Sequence, residues 1–310
     1  MENSFIDHRE YKSIPNAKVA FIGLGVMGAS MAGHLIKQGC SLVVHSRTRS
    51  KADQLIQMGA EWIDSPSEVA GNVDYLFSMV GYPEDVEEVY FGGSGIFSNL
   101  SKGTILIDMT TSSPDLAQKI SVYASERGSF SLDAPVSGGD IGAREARLAI
   151  MCGGNQVAYD QTLPLLQILG DTINYFGESG SGQRTKMSNQ ILIASTMVGT
   201  VESLLYAEKA NLDLNQVIEM IGKGAAGCWS LNQLGPRMLK QDWEPGFYVK
   251  HFVKDMGIAL NDAKRMGIRL QGLELAYQFY KKVCQSGYEE QGTQVLLKVL
   301  KDLNNESLSR

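Results

Sequence analysis

Cysteine and histidine are both scarce, with four of each among 310 residues. Cys40, Cys152, Cys228 and Cys284 form no C-x-x-C pair, and no two histidines sit at a metal-pair spacing. A disulfide framework and a zinc site both lack support, and no metal is expected. Scattered thiols suit a reducing, cytoplasmic compartment, where packing is their usual role. Lys and Arg form no dense run and the formal charge is only -6, so nucleic acid is not an expected partner. No unbroken apolar stretch approaches the roughly 18–20 residues of a membrane helix, so no membrane partner is expected either. Residues 1–14 are polar and mixed in charge, without the apolar core or small-residue cleavage site of a secretory signal. They read as a flexible leader outside the fold.

What is present is an ordinary globular composition on a chain too long for one core, and two domains are expected. Residues 15–178 alternate short apolar runs with amphipathic stretches. The expected strands are Lys18–Ile22, Ser41–His45, Tyr75–Met79, Thr104–Ile107, Phe130–Asp133, Ala149–Met151 and Ile173–Phe176. Between them fall helical patterns at Met27–Lys37, Lys51–Met58, Pro114–Ser125 and Gln156–Leu169. This order predicts an α/β fold, a Rossmann doubly wound and mostly parallel sheet. Residues 179–310 show helical patterns instead and predict an all-α second domain. It opens with a long interdomain helix, Gln183–Ala210, followed by Asp213–Ile221, Ser230–Leu239, Val249–Arg265, Leu273–Ser286 and Thr293–Leu303.

The strongest local signal is Gly23-Leu24-Gly25-Val26-Met27-Gly28, placed between the first strand and the first helix. In a strand–turn–helix the first glycine permits the tight turn and the second lets a pyrophosphate approach the backbone. The third lets helix and strand pack closely, and the helix N-terminus offers N–H groups to the phosphates. A tight turn without a ligand is the alternative. The second strand ends Val44-His45-Ser46-Arg47-Thr48, without the acid that an NAD enzyme usually sets against the ribose. Arg47 suits a 2′-phosphate, and Ser46 and Thr48 can add hydrogen bonds, so NADP is expected ahead of NAD. Otherwise these residues are a solvated loop edge.

Further segments join the glycine loop, which in full reads Gly-Leu-Gly-Val-Met-Gly-Ala-Ser-Met-Ala. They are Asp133-Ala134-Pro135-Val136-Ser137-Gly138-Gly139, then Gly180-Ser181-Gly182-Gln183-Arg184-Thr185-Lys186-Met187-Ser188-Asn189-Gln190, then Lys254-Asp255. In that order and spacing the chain resembles the β-hydroxyacid dehydrogenases. That family includes 3-hydroxyisobutyrate dehydrogenase, tartronate semialdehyde reductase and the glyoxylate/succinic semialdehyde reductases. The resemblance implies that Ser137, Gly138 and Gly139 bind the substrate carboxylate. Their N–H groups and the serine hydroxyl form the kind of nest that accepts an anion, although chain reversal alone also calls for glycines. It implies that Lys186 is the general acid/base. A lysine can fill that role when burial or a nearby cation lowers its pKa. Lys254 is a candidate neighbour and a candidate cofactor contact.

Asn189 and Gln190 share the helix face of Lys186 and are expected to bind substrate oxygens or hold the lysine. Much of the family has Asn at both positions, and Gln190 is more like the tartronate semialdehyde reductase branch. By the same resemblance Met79, Val80 and Gly81 line the cofactor groove, and Thr111, beside Thr110, reaches the nicotinamide side. A hydroxyl there serves equally as a helix N-cap before Pro114. His34 reads as structural, and Trp229 as a pocket wall or a core side chain. The implied activity is hydride transfer between NADP(H) and a short 3-hydroxy acid or its semialdehyde. Glyoxylate and succinic, tartronate and methylmalonate semialdehydes are examples of such small carboxylate substrates. A homodimer or homotetramer is implied too. A non-catalytic cofactor-binding module of the same fold and an imine reductase-like enzyme are the alternatives.

Overall fold

The computed structural model describes Ile14 and residues 17–308. The leader expected at residues 1–14 lies outside them, apart from Ile14, which packs against the first apolar core. The chain divides into two compact units, one ending at Lys186 and the other beginning at Met187.

The first unit is built on nine strands: β1 Lys18–Ile22, β2 Ser41–His45, β3 Glu61–Trp62, β4 Tyr75–Ser78, β5 Ile105–Asp108, β6 Phe130–Asp133, β7 Val136–Ser137, β8 Leu148–Gly154 and β9 Gly170–Tyr175. Their spatial order is β3-β2-β1-β4-β5-β6-β8-β7, with β9 beside β8. From β3 to β6 every pairing is parallel, which makes this a Rossmann sheet. Beyond β6 the direction reverses, because β8 runs antiparallel to both β6 and β7. The strands β1, β4 and β5 are apolar apart from Lys18, Ser78 and Asp108 at their ends, because both faces of the sheet are covered. Val19, Phe21, Tyr75, Phe77, Ile105 and Ile107 enter one core, while Ala20, Ile22, Leu76 and Leu106 enter the other.

The covering helices are α1 Val26–Lys37, α2 Asp53–Gln57, α3 Pro66–Val69, α4 Pro83–Phe91, α5 Pro114–Glu126, α6 Gly139–Arg144 and α7 Gln156–Leu166. Prolines open α3, α4 and α5, where a missing N–H costs nothing. Asn155 caps α7 through a 3.0 Å bond from Ala158 N–H. The helix expected over Lys51–Met58 is split into a 3₁₀ turn, Arg49–Ala52, and α2.

The helix α8, Ser181–Lys209, starts in the first unit and ends in the second. The second unit adds α9 Leu214–Gly222, α10 Gly235–Leu239, α11 Val249–Arg265, α12 Gln271–Gln285 and α13 Leu296–Leu308. It is helical, as expected. Ala194, Met197, Val201 and Leu204 of α8 join Phe252, Met256, Ala276, Tyr280 and Val283 in its core. Phe252 and Tyr280 meet edge to face with ring centroids 4.9 Å apart. With a mean hydropathy of 1.3 over 18 residues, α8 is long and apolar enough to cross a membrane by length and composition alone. Of that window 39% is buried, which accounts for part of the apolarity. The expected helix Ser230–Leu239 begins instead as a π turn, Ser230–Leu234, before α10. Pro236 has no N–H to give to a regular ladder there.

Candidate functional site

The junction of β1 and α1 shows why glycines stand where they do. Gly23 has φ of +95°, and a Cβ on it would strike the Met79 carbonyl. One on Gly28 would strike the Gly23 carbonyl and press on the Phe21 ring. Gly25 differs: among the described residues, its chain neighbours aside, no atom lies within 4 Å of where its Cβ would stand. It is also the N-cap of α1 and supplies no side-chain acceptor. The first-turn N–H groups therefore keep their capacity for an anion, and the space before Gly25 is clear for one. These features fit a dinucleotide pyrophosphate. Leu24 is buried and can meet a ligand only through backbone, whereas Met27 is half-buried against the core and Val26 is exposed.

At the end of β2, Ser46 is half-buried and Thr48 exposed. The Arg47 guanidinium is 85% exposed and pairs with Asp85 Oδ1 at 3.0 Å. The other oxygen of Asp85 accepts the Tyr82 N–H at 3.1 Å and so caps α4. Asp85 had no role in the sequence reading, although Tyr82-Pro83-Glu84-Asp85 carries the helix-start pattern that would have found it. His45, one residue earlier, is held by a 2.9 Å bond between Nδ1 and the Ile63 carbonyl.

The carboxyl ends of the central strands carry a buried polar row. Ser78, Asp108 and Asp133 are the last residues of β4, β5 and β6 and lie opposite one another in register. Burial pushes both carboxyl groups up to about 6, Asp108 against hydrogen bonds from Thr110 and Ser78, and Asp133 against backbone N–H bonds. Ser78 donates to Asp108 Oδ1 at 2.9 Å. The loop after β5 is knitted to the loop after β4 where Val80 N–H donates to Thr110 Oγ1 at 3.0 Å. Thr110 is thereby consumed, while Thr111 and Met79 stay half-exposed. The N-cap position of α5 belongs to Ser113, so neither threonine is needed there.

Ser137 is not in a free loop, since β7 pairs it with Ala149 of β8. Gly138 and Gly139 follow with φ of +125° and +62°, backbone that a side chain would strain. Ser137 and Gly139 are half-exposed and Gly138 is exposed. His34 lies 3.1 Å from the carbonyls of both Ala143 and Arg144, tying α1 to the end of α6.

Lys186 is only 6% exposed, in the second turn of α8. The first turn is gripped by Asp133, whose two oxygens accept Gly180 N–H and Gln183 N–H at 2.8 Å each. Gln183 is fully buried. Neither residue was given a role from sequence, although both lie inside quoted motifs.

In the second unit, Gln190 donates to Asp255 Oδ2 at 2.6 Å and accepts from Asn189 Nδ2 at 2.7 Å. Lys254 Nζ pairs with Asp255 Oδ1 at 3.1 Å. The carboxylate only accepts, which fixes both amides and leaves Asn189 Oδ1 as the oxygen it can offer. Gln190, 1% exposed, is thereby a buried link rather than an outward donor. Trp229 is 67% exposed and not a core side chain.

Residues 18–177 match the family described as the NAD binding domain of 6-phosphogluconate dehydrogenase. Residues 180–300 match the one described as NAD-binding of NADP-dependent 3-hydroxyisobutyrate dehydrogenase. A probable 3-hydroxyisobutyrate dehydrogenase-like protein of Arabidopsis thaliana is 51% identical over 94% of this chain and 88% of its own length. The 2-hydroxy-3-oxopropionate reductase of Escherichia coli is 35% identical over 94% of this chain and 100% of its own. Among solved structures, 3-hydroxyisobutyrate dehydrogenase of Mycobacterium tuberculosis with L-serine has a TM-score of 0.85 at 26% identity, covering 92% of this chain and 99% of that one.

Proposed function

Since this chain belongs to the β-hydroxyacid dehydrogenase family, as an NAD(P)-dependent oxidoreductase, we propose that it interconverts a short 3-hydroxy acid and its semialdehyde with NADP(H). The nicotinamide, when bound, supplies or accepts the hydride. Lys186 gives a proton to the nascent alkoxide in reduction and takes it from the alcohol in oxidation. The single observation that carries this role is the burial of Lys186, 6% exposed on a helix where a lone lysine is ordinarily solvated. Ser137 Oγ and the N–H groups of Gly138 and Gly139 receive the carboxylate, and Asn189 Oδ1 accepts from the substrate hydroxyl. The glycine loop from Gly23 to Gly28 holds the pyrophosphate, with Met79, Val80, Thr111 and Lys254 as further cofactor contacts.

NADP is preferred because no acid follows β2 and Arg47 stands in its place. A non-catalytic module would have no need of a buried lysine. The four cysteines are free thiols, which fits a reducing compartment such as the cytoplasm. A homodimer or homotetramer formed along α8 would cover Leu192 and Tyr206, which are 66% and 76% exposed.

The test is NADPH consumption with glyoxylate and with succinic, tartronate and methylmalonate semialdehydes, wild type beside Lys186→Ala. Loss of turnover in the variant with NADPH binding retained is the expected result. NADPH binding without turnover on any of these would favour the module instead.

A further inference from the structure

The start of α8 is pressed onto the sheet. A Cβ on Gly182 would strike the carbonyls of Asp133 and Met151, and one on Gly153 would lie 2.6 Å from Gly182 N. Backbone N–H groups buried this way need protein acceptors, since water cannot reach them. Ser179 and Ser181 are at hand in the sequence as local caps. The helix instead takes its acceptor from Asp133, 47 residues before Gly180 and 50 before Gln183. A cap from so far away ties the helix to the strand end.

Gln183 extends the tie with both ends of its amide. Its Oε1 accepts Ser112 N–H at 2.9 Å and its Nε2 donates to the Thr110 carbonyl at 2.8 Å. Thr110 in turn holds Val80 N–H. A continuous chain of hydrogen bonds thus runs from the loop after β4, through the loop after β5, to the first turn of α8, and on to the end of β6. Lys186 stands three residues beyond Gln183, on the same helix face.

We propose that Asp133 and Gln183 are positioning residues that hold the turn bearing Lys186 in register with the strand-end loops. Hydride and proton must reach one carbonyl group from two directions, and a shift of about 1 Å in such an arrangement costs on the order of 100-fold in rate. The inference rests on the reading of Lys186 as the acid/base.

Gln183→Glu tests it with nearly unchanged shape. As a carboxylate the new side chain still accepts Ser112 N–H but faces the Thr110 carbonyl with no proton to give. Protonated, it regains that donor. The ratio of variant to wild-type kcat should therefore fall by about 10- to 100-fold at neutral pH and recover on acidification. A ratio that stays near one or does not change with pH overturns the proposal. Turnover in Lys186→Ala would instead overturn the acid/base reading, so the two failures are distinguishable. Hydrogen exchange gives a second readout that needs no substrate, with Gln183→Leu as the variant. Exchange should quicken together in Gly180–Lys186 and in the loop holding Thr110 and Ser112. Quickening in the helix alone overturns the tie.

Discussion

Replacing Asp108 by Asn should make the protein more stable at neutral pH, which is unusual for a buried hydrogen-bonded carboxyl group. Asp108 is fully enclosed, and burial moves it from 3.8 to about 6 despite hydrogen bonds from Thr110 and Ser78. The shift is about two units, and at 1.36 kcal/mol per unit it corresponds to roughly 3 kcal/mol. The sign follows from proton binding. The folded state holds the proton more tightly than the unfolded chain, so this stabilisation is complete below about pH 4 and is lost as pH rises through about 6. Asn keeps an acceptor for Ser78 Oγ and Thr110 N–H at Oδ1 and carries no charge. Variant-minus-wild-type stability should then be nearly flat below pH 4, climb between about 4 and 6, and level off up to about 3 kcal/mol higher. Asp133 is pushed up to about 6 as well, but it is present in both proteins and largely drops out of the difference. Urea denaturation of both proteins from pH 4 to pH 8 supplies the measurement. A difference independent of pH, or one that favours the wild type as pH rises, would refute the reasoning.

Arg47→Ser removes an exposed pair worth about 0–1 kcal/mol, so the melting temperature should barely move. NADPH should bind about 10- to 100-fold more weakly, as expected for losing a charge-assisted phosphate contact, with NADH binding unchanged. Equal loss for both cofactors by titration calorimetry would remove Arg47 from phosphate recognition. Gly25→Ala and Gly28→Ala should behave in opposite ways, because only the second methyl meets protein. The first should fold with stability within about 1 kcal/mol of wild type yet lose dinucleotide affinity, and the second should lose stability outright. Asp255→Asn should leave Gln190 free to turn over, raising KM for the hydroxy acid more than for the cofactor. An unchanged KM would show that the orientation of Asn189 does not matter.

The fold was legible where the chain repeats itself. The strands β1 and β2 and the helix α11 have the bounds expected from pattern, and α1, α5 and α8 differ by one or two residues at their ends. The strands β3 and β7 contain only two residues each, too few for any period to emerge. The antiparallel turn of β8 was hidden for another reason: strand direction depends on which neighbours meet, and apolar pattern does not record it. At the candidate site the glycines could be read because each answers to a local backbone need. Asp133 and Gln183 could not, because their partners lie 47 or more residues away and a lone acid or amide gives no sign of that. The cap that Asp85 places on Tyr82 is local and readable, but its pair with Arg47, 38 residues away, is not.

Under the NADP preference proposed above, the double duty of Asp85 limits how that preference can change over generations. An acid introduced at position 46 or 47 to court a bare ribose would stand beside a carboxylate already committed to the start of α4. Discarding Asp85 first would uncap that helix, so neither single step is free. The passable route leads through Asn or Ser at position 85, which keep the cap and surrender the charge. Any descendant of this chain that favours NADH should bear the trace of that detour at position 85 as well as at position 47.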